Sequence, residues 1–61
     1  MDFGEQIKSI RKRENLTQEQ FAMKLNVSRQ AVSNWENNKN LPDIGMSILM
    51  SNVFQISGSI N

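Results

Sequence analysis

The chain has 61 residues, seven Lys or Arg against six Asp or Glu for a net charge of +1, and neither His, Cys nor Tyr. That length holds one domain, residues 1–61, around a small core, and without cysteine the core must be held by apolar packing rather than by disulfides or thiolate metal sites. The commonest general bases, nucleophiles and transition-metal ligands are missing, so no catalysis, metal or other cofactor is expected. The apolar stretches fall far short of the roughly 20 residues that cross a bilayer, and Met1-Asp2-Phe3 is no export signal, so a soluble cytoplasmic protein without a membrane partner is expected.

Phe3, Ile7 and Ile10 recur at helical spacing with charged residues on the other faces, which predicts a first amphipathic helix over residues 3–14, and Asn15 suits a left-handed cap after it. Thr17-Gln18-Glu19-Gln20 has the capping-box pattern and opens a second helix over residues 18–25, whose apolar positions are Phe21, Ala22 and Leu25 and which stops at Asn26. Ser28 is the next N-cap, flanked by Val27 and Val32 as a hydrophobic staple, so a third helix covers residues 28–37. Asn37, Asn38 and Asn40 then make a polar loop around Lys39. Leu41-Pro42-Asp43 restarts helical structure, with Pro allowed near a first turn and Asp favourable there, and a fourth helix covers residues 43–53. Ser57-Gly58-Ser59-Ile60-Asn61 is too short and too rich in Gly and Ser to specify a helix alone.

Charge is unevenly placed. All seven Lys and Arg lie between Lys8 and Lys39, and Asp43 is the only charged side chain beyond Lys39. The front of the chain is charged and the back nearly uncharged.

Two short helices joined by a turn of about three residues, over residues 17–37, suit a helix pushed into the DNA major groove. On the third helix Ala31, Val32 and Trp35 share one side, while Arg29, Gln30, Ser33, Asn34 and Asn37 share the other. Gln and Asn can each bond an adenine edge bidentately and Arg a guanine edge, so Arg29, Gln30 and Asn34 are suited to reading bases, with Ser33 adding a shorter contact. Each polar residue taken singly is equally compatible with a solvated helix face. It is the cluster, on a helix in this place, that points to recognition.

The stretches Leu16-Thr17-Gln18-Glu19-Gln20-Phe21-Ala22 and Val27-Ser28-Arg29-Gln30-Ala31-Val32-Ser33-Asn34-Trp35-Glu36-Asn37 strongly resemble the Cro and cI type of phage and bacterial repressors, the Xre family. The resemblance covers residues 3–56. It implies an all-α, lambda-repressor-like domain of four to five helices, encoded by a bacterium or phage and nucleoid-associated when bound. It also implies a double-stranded DNA operator and a homodimer on two half-sites. By resemblance, Ser28, Arg29, Gln30, Ser33 and Asn34 fall on base-reading positions, and Gln18, Asn37 and Lys39 on phosphate-contacting ones. Physical reasoning agrees for the phosphates, since a helix N-terminus offers free N–H groups and a positive dipole end, Lys39 can neutralise an anion, and Asn37 and Asn38 can donate from the loop. The plain alternative is that Asn37 and Asn38 only terminate the helix.

The resemblance further implies an ion pair between Arg11 and Glu36, tying the reading helix to the body, against the alternative that Arg11 touches DNA. Trp35 beside Ala31 and Val32 is core rather than a base-stacking platform. Asn26 and Asn38 stand where the family often has glycine, which suits a residue that visits left-handed backbone. Ser47 stands where the family usually has a core leucine, and Ile44–Phe54 is apolar on most of its faces. That surplus points to a second subunit, through residues 44–61, or to a C-terminal segment, and the family's fifth helix would begin near Ser57. The function expected is sequence-specific operator binding by a transcriptional regulator, as a repressor. The rivals are a protein-interaction module of the antirepressor kind and the antitoxin of a toxin pair.

Overall fold

In the computed structural model, which describes residues 2–55, every helix opens on a side chain that accepts a hydrogen bond from its own first turn. Asp2 accepts from the Glu5 amide at the head of α1 (Phe3–Arg13), and Thr17 from the Gln20 amide at the head of α2 (Gln18–Leu25). Ser28 accepts from the Ala31 amide before α3 (Arg29–Glu36), and Asp43 from the Met46 amide before α4 (Ile44–Phe54). Each such cap satisfies a donor that the helix cannot, at about 1 kcal/mol apiece. At Thr17 the box is reciprocal, because the Gln20 side chain accepts from the Thr17 amide at 2.9 Å. No strand occurs among the described residues.

The first three helices end alike. Asn15, Asn26 and Asn38 have φ of 61°, 59° and 60°, the left-handed region that Asn enters more readily than most side chains. The amides that follow reach back five residues, Leu16 to the Arg11 carbonyl, Val27 to Ala22 and Lys39 to Asn34, at 3.0, 3.0 and 2.8 Å. This is the Schellman closure. Its customary apolar residue after the left-handed one is Leu16 or Val27 in the first two cases, both half-buried against the core, and becomes the exposed Lys39 in the third.

The helix bounds differ from expectation by single residues. Glu14 caps α1 instead of extending it, and Ser28 and Asn37 flank α3 rather than belonging to it. The start of α4 also moves by one residue: Asp43, expected in the first turn, is extended, with ψ 176°, because it is the N-cap. At the other end Phe54 is inside α4, held there by packing, since its ring stacks on Phe21 with centroids 4.5 Å apart and planes within 2°. The expected fifth helix, and residues 56–61 of the expected subunit contact, lie outside the described residues.

Ile7, Phe21, Ala22, Leu25, Val32, Trp35, Met50 and Phe54 form the buried core, with α3 packed on α1 and α2, and α4 on α2. Gly4 brings α1 against the end of α3. A Cβ there would run into the Glu36 carbonyl, and the Gly4 amide donates to Asn38 Oδ1 at 3.0 Å. Between α1 and α4 the packing is looser. Ser47, small where a leucine would fill, lines a cleft of about 230 Å³ with Phe3, Ile7, Ile10 and Met50. The rest of the α4 surface is largely apolar and uncovered, Ile44 being 80% and Ile48 57% exposed, with Leu49 and Val53 also exposed beside the polar Asn52.

Candidate nucleic-acid interface

Successive residues of an α-helix turn by about 100°, which divides α3 into two sides. Val32 and Trp35 are buried at 0% and 6% exposure and fasten the helix to the body, with Ala31 half-buried beside them. On the opposite side Ser28, Arg29, Gln30 and Asn37 are exposed, and Ser33 and Asn34 half-buried. The structure therefore brings the sequence-predicted base-reading residues together on one outward face, and places Trp35 in the core.

That face is ordered by its own hydrogen bonds. Gln30 Nε2 donates to Asn34 Oδ1 at 3.0 Å, and Asn37 Nδ2 to Ser33 Oγ at 3.3 Å, each one helical turn apart. Each amide then keeps part of its capacity, because a carboxamide has two N–H donors and a two-lone-pair oxygen. Gln30 keeps Oε1 and one N–H, the donor and acceptor pair that matches an adenine edge.

Glu36, one turn beyond Val32, closes the inner end of this face. Its side chain is 1% exposed and receives Arg11 Nε on Oε2 at 2.7 Å, Arg11 Nη2 on Oε1 at 3.2 Å and Gln18 Nε2 on Oε1 at 3.0 Å. Arg11 spends its remaining nitrogen on the Leu16 carbonyl at 3.1 Å, so all three of its nitrogens bond within the fold. A buried carboxylate is tolerable only with partners of this kind.

Of the residues assigned to phosphate contact, Lys39 is exposed at the far end of α3, with its chain direction set by the Asn34 carbonyl. Asn38 has its side-chain oxygen on the Gly4 amide, which leaves the Nδ2 group as its outward donor. Gln18 begins α2, where the backbone amides of the first turn lack intrahelical acceptors, but its side chain is drawn inward to Glu36 and sideways to Arg29, whose Nη1 donates to Gln18 Oε1 at 3.3 Å. Sequence reasoning missed both this link and Gly4. The link spans 18 residues in sequence and has no local pattern, and a glycine in a first turn carries no mark of the neighbour it admits.

A family model described as Helix-turn-helix matches residues 7–60. The HTH-type transcriptional activator BcrR of Enterococcus faecalis is 40% identical over 57 residues, which are 93% of this chain and 28% of that relative. The chain thus spans well under a third of the length of the curated relative it matches. No solved structure matches it.

Proposed function

The chain belongs to the helix-turn-helix family of the Cro and cI type, and from that premise we propose that it recognises a specific double-stranded DNA operator as a transcriptional regulator, with α3 in the major groove. The observation that carries this is the outward face of α3. Arg29, Gln30, Ser33 and Asn34 stand together on a helix whose other side is core, so they can be offered to base edges without disturbing the fold. Ser28 adds a hydroxyl at the same end. Phosphates are engaged by the first-turn amides of α2 beside Gln18, by Asn37 and Asn38 and by Lys39, which fix register without reading sequence. Arg11 and Glu36 hold α3 at its angle.

Recognition is by a homodimer on two half-sites whose centres lie about 34 Å apart or a multiple of it, and the second copy covers α4. Two observations support that occupant. The large exposed side chains of α4, Ile44, Ile48, Leu49 and Val53, are apolar, and no charged side chain follows Asp43, so a second copy meets a surface as uncharged as its own. Regulation is by occupancy, which suffices for repression. Activation, which the name of the enterococcal relative states, needs a further contact with the transcription machinery in addition to the same DNA contacts.

The test is selection of bound duplexes from a random library at about physiological salt, with the enriched duplex then titrated against a scrambled one. An enriched inverted repeat is the expected result. A folded chain that binds every duplex equally would overturn base reading, and an enriched single half-site would overturn the dimer.

A further inference from the structure

Between α1 and α4 the fold leaves a space of about 230 Å³, and burial sorts its lining into layers. Ile7 and Met50 are buried and form the floor, while Phe3 and Ile10 are half-buried and form apolar walls. Gln6 and Ser47 are exposed and Ser51 is half-buried, so an amide and two hydroxyls stand at the rim, the two serines about one turn apart on α4. No charged side chain lines the cleft. An empty space of this size is costly in so small a domain, because the side chains around it forgo contacts that a filled core would supply.

We propose that this cleft is a binding site for a small neutral aromatic molecule, of one or two rings and carrying a single hydroxyl or N–H group. Volume sets the size. An engineered apolar cavity of about 150 Å³ takes up benzene, and the larger space here admits a phenol or an indole. The lining sets the chemistry. A flat ring can lie against Phe3, and the Met50 thioether is also favourable to an aromatic partner. The polar group of the ligand then emerges at the rim, where Gln6, Ser47 and Ser51 offer both donors and acceptors. A charged ligand is disfavoured, because burial strips its water and nothing in the lining neutralises it. The lining includes no residue of α3, so the site is separate from the base-reading face and stands whichever duplex that face selects.

The experiment follows amide shifts of the nitrogen-15-labelled chain, without DNA, during titration with phenol, with indole and, as the charged control, with benzoate. Phenol and indole are expected to give saturable shifts concentrated at Gln6, Ile7, Ile10, Ser47, Met50 and Ser51. Both are also expected to raise the thermal midpoint with concentration, as a ligand of the folded state alone must. Benzoate is expected to bind more weakly by about tenfold or more. Ser47→Leu, which fills the cleft from within, is expected to raise the thermal midpoint by itself and to weaken indole binding by about tenfold or more. Ser47→Val, with less added bulk, serves in the same comparison if the leucine variant does not fold. Shifts that grow without saturating, or that centre on Ile44 and Val53, would overturn the site and show adhesion to the exposed face of α4. Equal indole binding by the wild-type chain and a folded variant would overturn it as well. If the wild-type chain takes up neither phenol nor indole, the cleft is no site for small aromatics and the proposal fails.

Discussion

Helices α3 and α4 both start on a capping side chain and both anchor an aromatic residue in the core, Trp35 and Phe54, yet they treat solvent in opposite ways. The outward side of α3 is amides and a hydroxyl tied in pairs across a turn, and a guanidinium bonded to Gln18 of α2. The outward side of α4 is mainly Ile44, Ile48, Leu49 and Val53, with Ser47 and Asn52 beside them and no charge. Polar groups facing water cost nothing and can exchange water for base edges, whereas apolar side chains facing water each leave burial energy ungained, about 25 cal/mol per Å². One small domain thus offers two surfaces with two kinds of affinity, and the dense hydrogen bonding around Glu36 sits under the polar one alone.

If α3 is held by that bonding, breaking it should produce the largest effect. Arg11→Ala strands a carboxylate that is 1% exposed, and a loss of about 3 to 5 kcal/mol in urea unfolding is expected. A loss below about 1 kcal/mol would show that α3 is held by Val32 and Trp35 alone. On the outward side of the same helix the effect should move from folding to binding. Gln30→Ala is expected to leave stability nearly unchanged and to cost about 1 to 3 kcal/mol on the enriched duplex only, by titration against it and a scrambled duplex. Equal losses on both would remove Gln30 from base reading. Lys39→Ala should weaken all duplexes alike and reduce the slope of log affinity against log salt by about one, as a single lost phosphate contact does. The smallest effect on folding belongs to α4. Ile48→Lys is expected to change monomer stability by no more than about 0.5 kcal/mol, since the side chain is 57% exposed, while sedimentation shows weaker self-association. Unchanged association would place the second copy elsewhere.

What could be read from the sequence is what is local. Thr17 and Ser28 declare the starts of α2 and α3 through hydroxyls acting within four residues, and the α2 bounds come out as expected. The polar side of α3 follows from helical periodicity, because Val32 and Trp35 mark its inner side. Asn26 and Asn38 could be read as left-handed turns from their residue type. What could not be read depends on distant partners. Phe54 is helical because Phe21 stacks on it, and Asp43 shows itself to be a cap rather than a first-turn residue only by its extended backbone. Gly4 matters because the end of α3 arrives there. The bond from Gln18 to Glu36 could not be read either, because it requires the fold to bring α2 and α3 together.

The contrast between the two surfaces can be tested in one titration. The chain, labelled with nitrogen-15, is mixed with a duplex carrying a single half-site, and amide chemical shifts are followed residue by residue. The account predicts that the shifts concentrate at Gln18 and at residues 28–39, with the side-chain amides of Gln30 and Asn34 among the most displaced, and that residues 44–53 stay near their free positions. Shifts centred on Ile44, Ile48 and Leu49 with a silent α3 would contradict it.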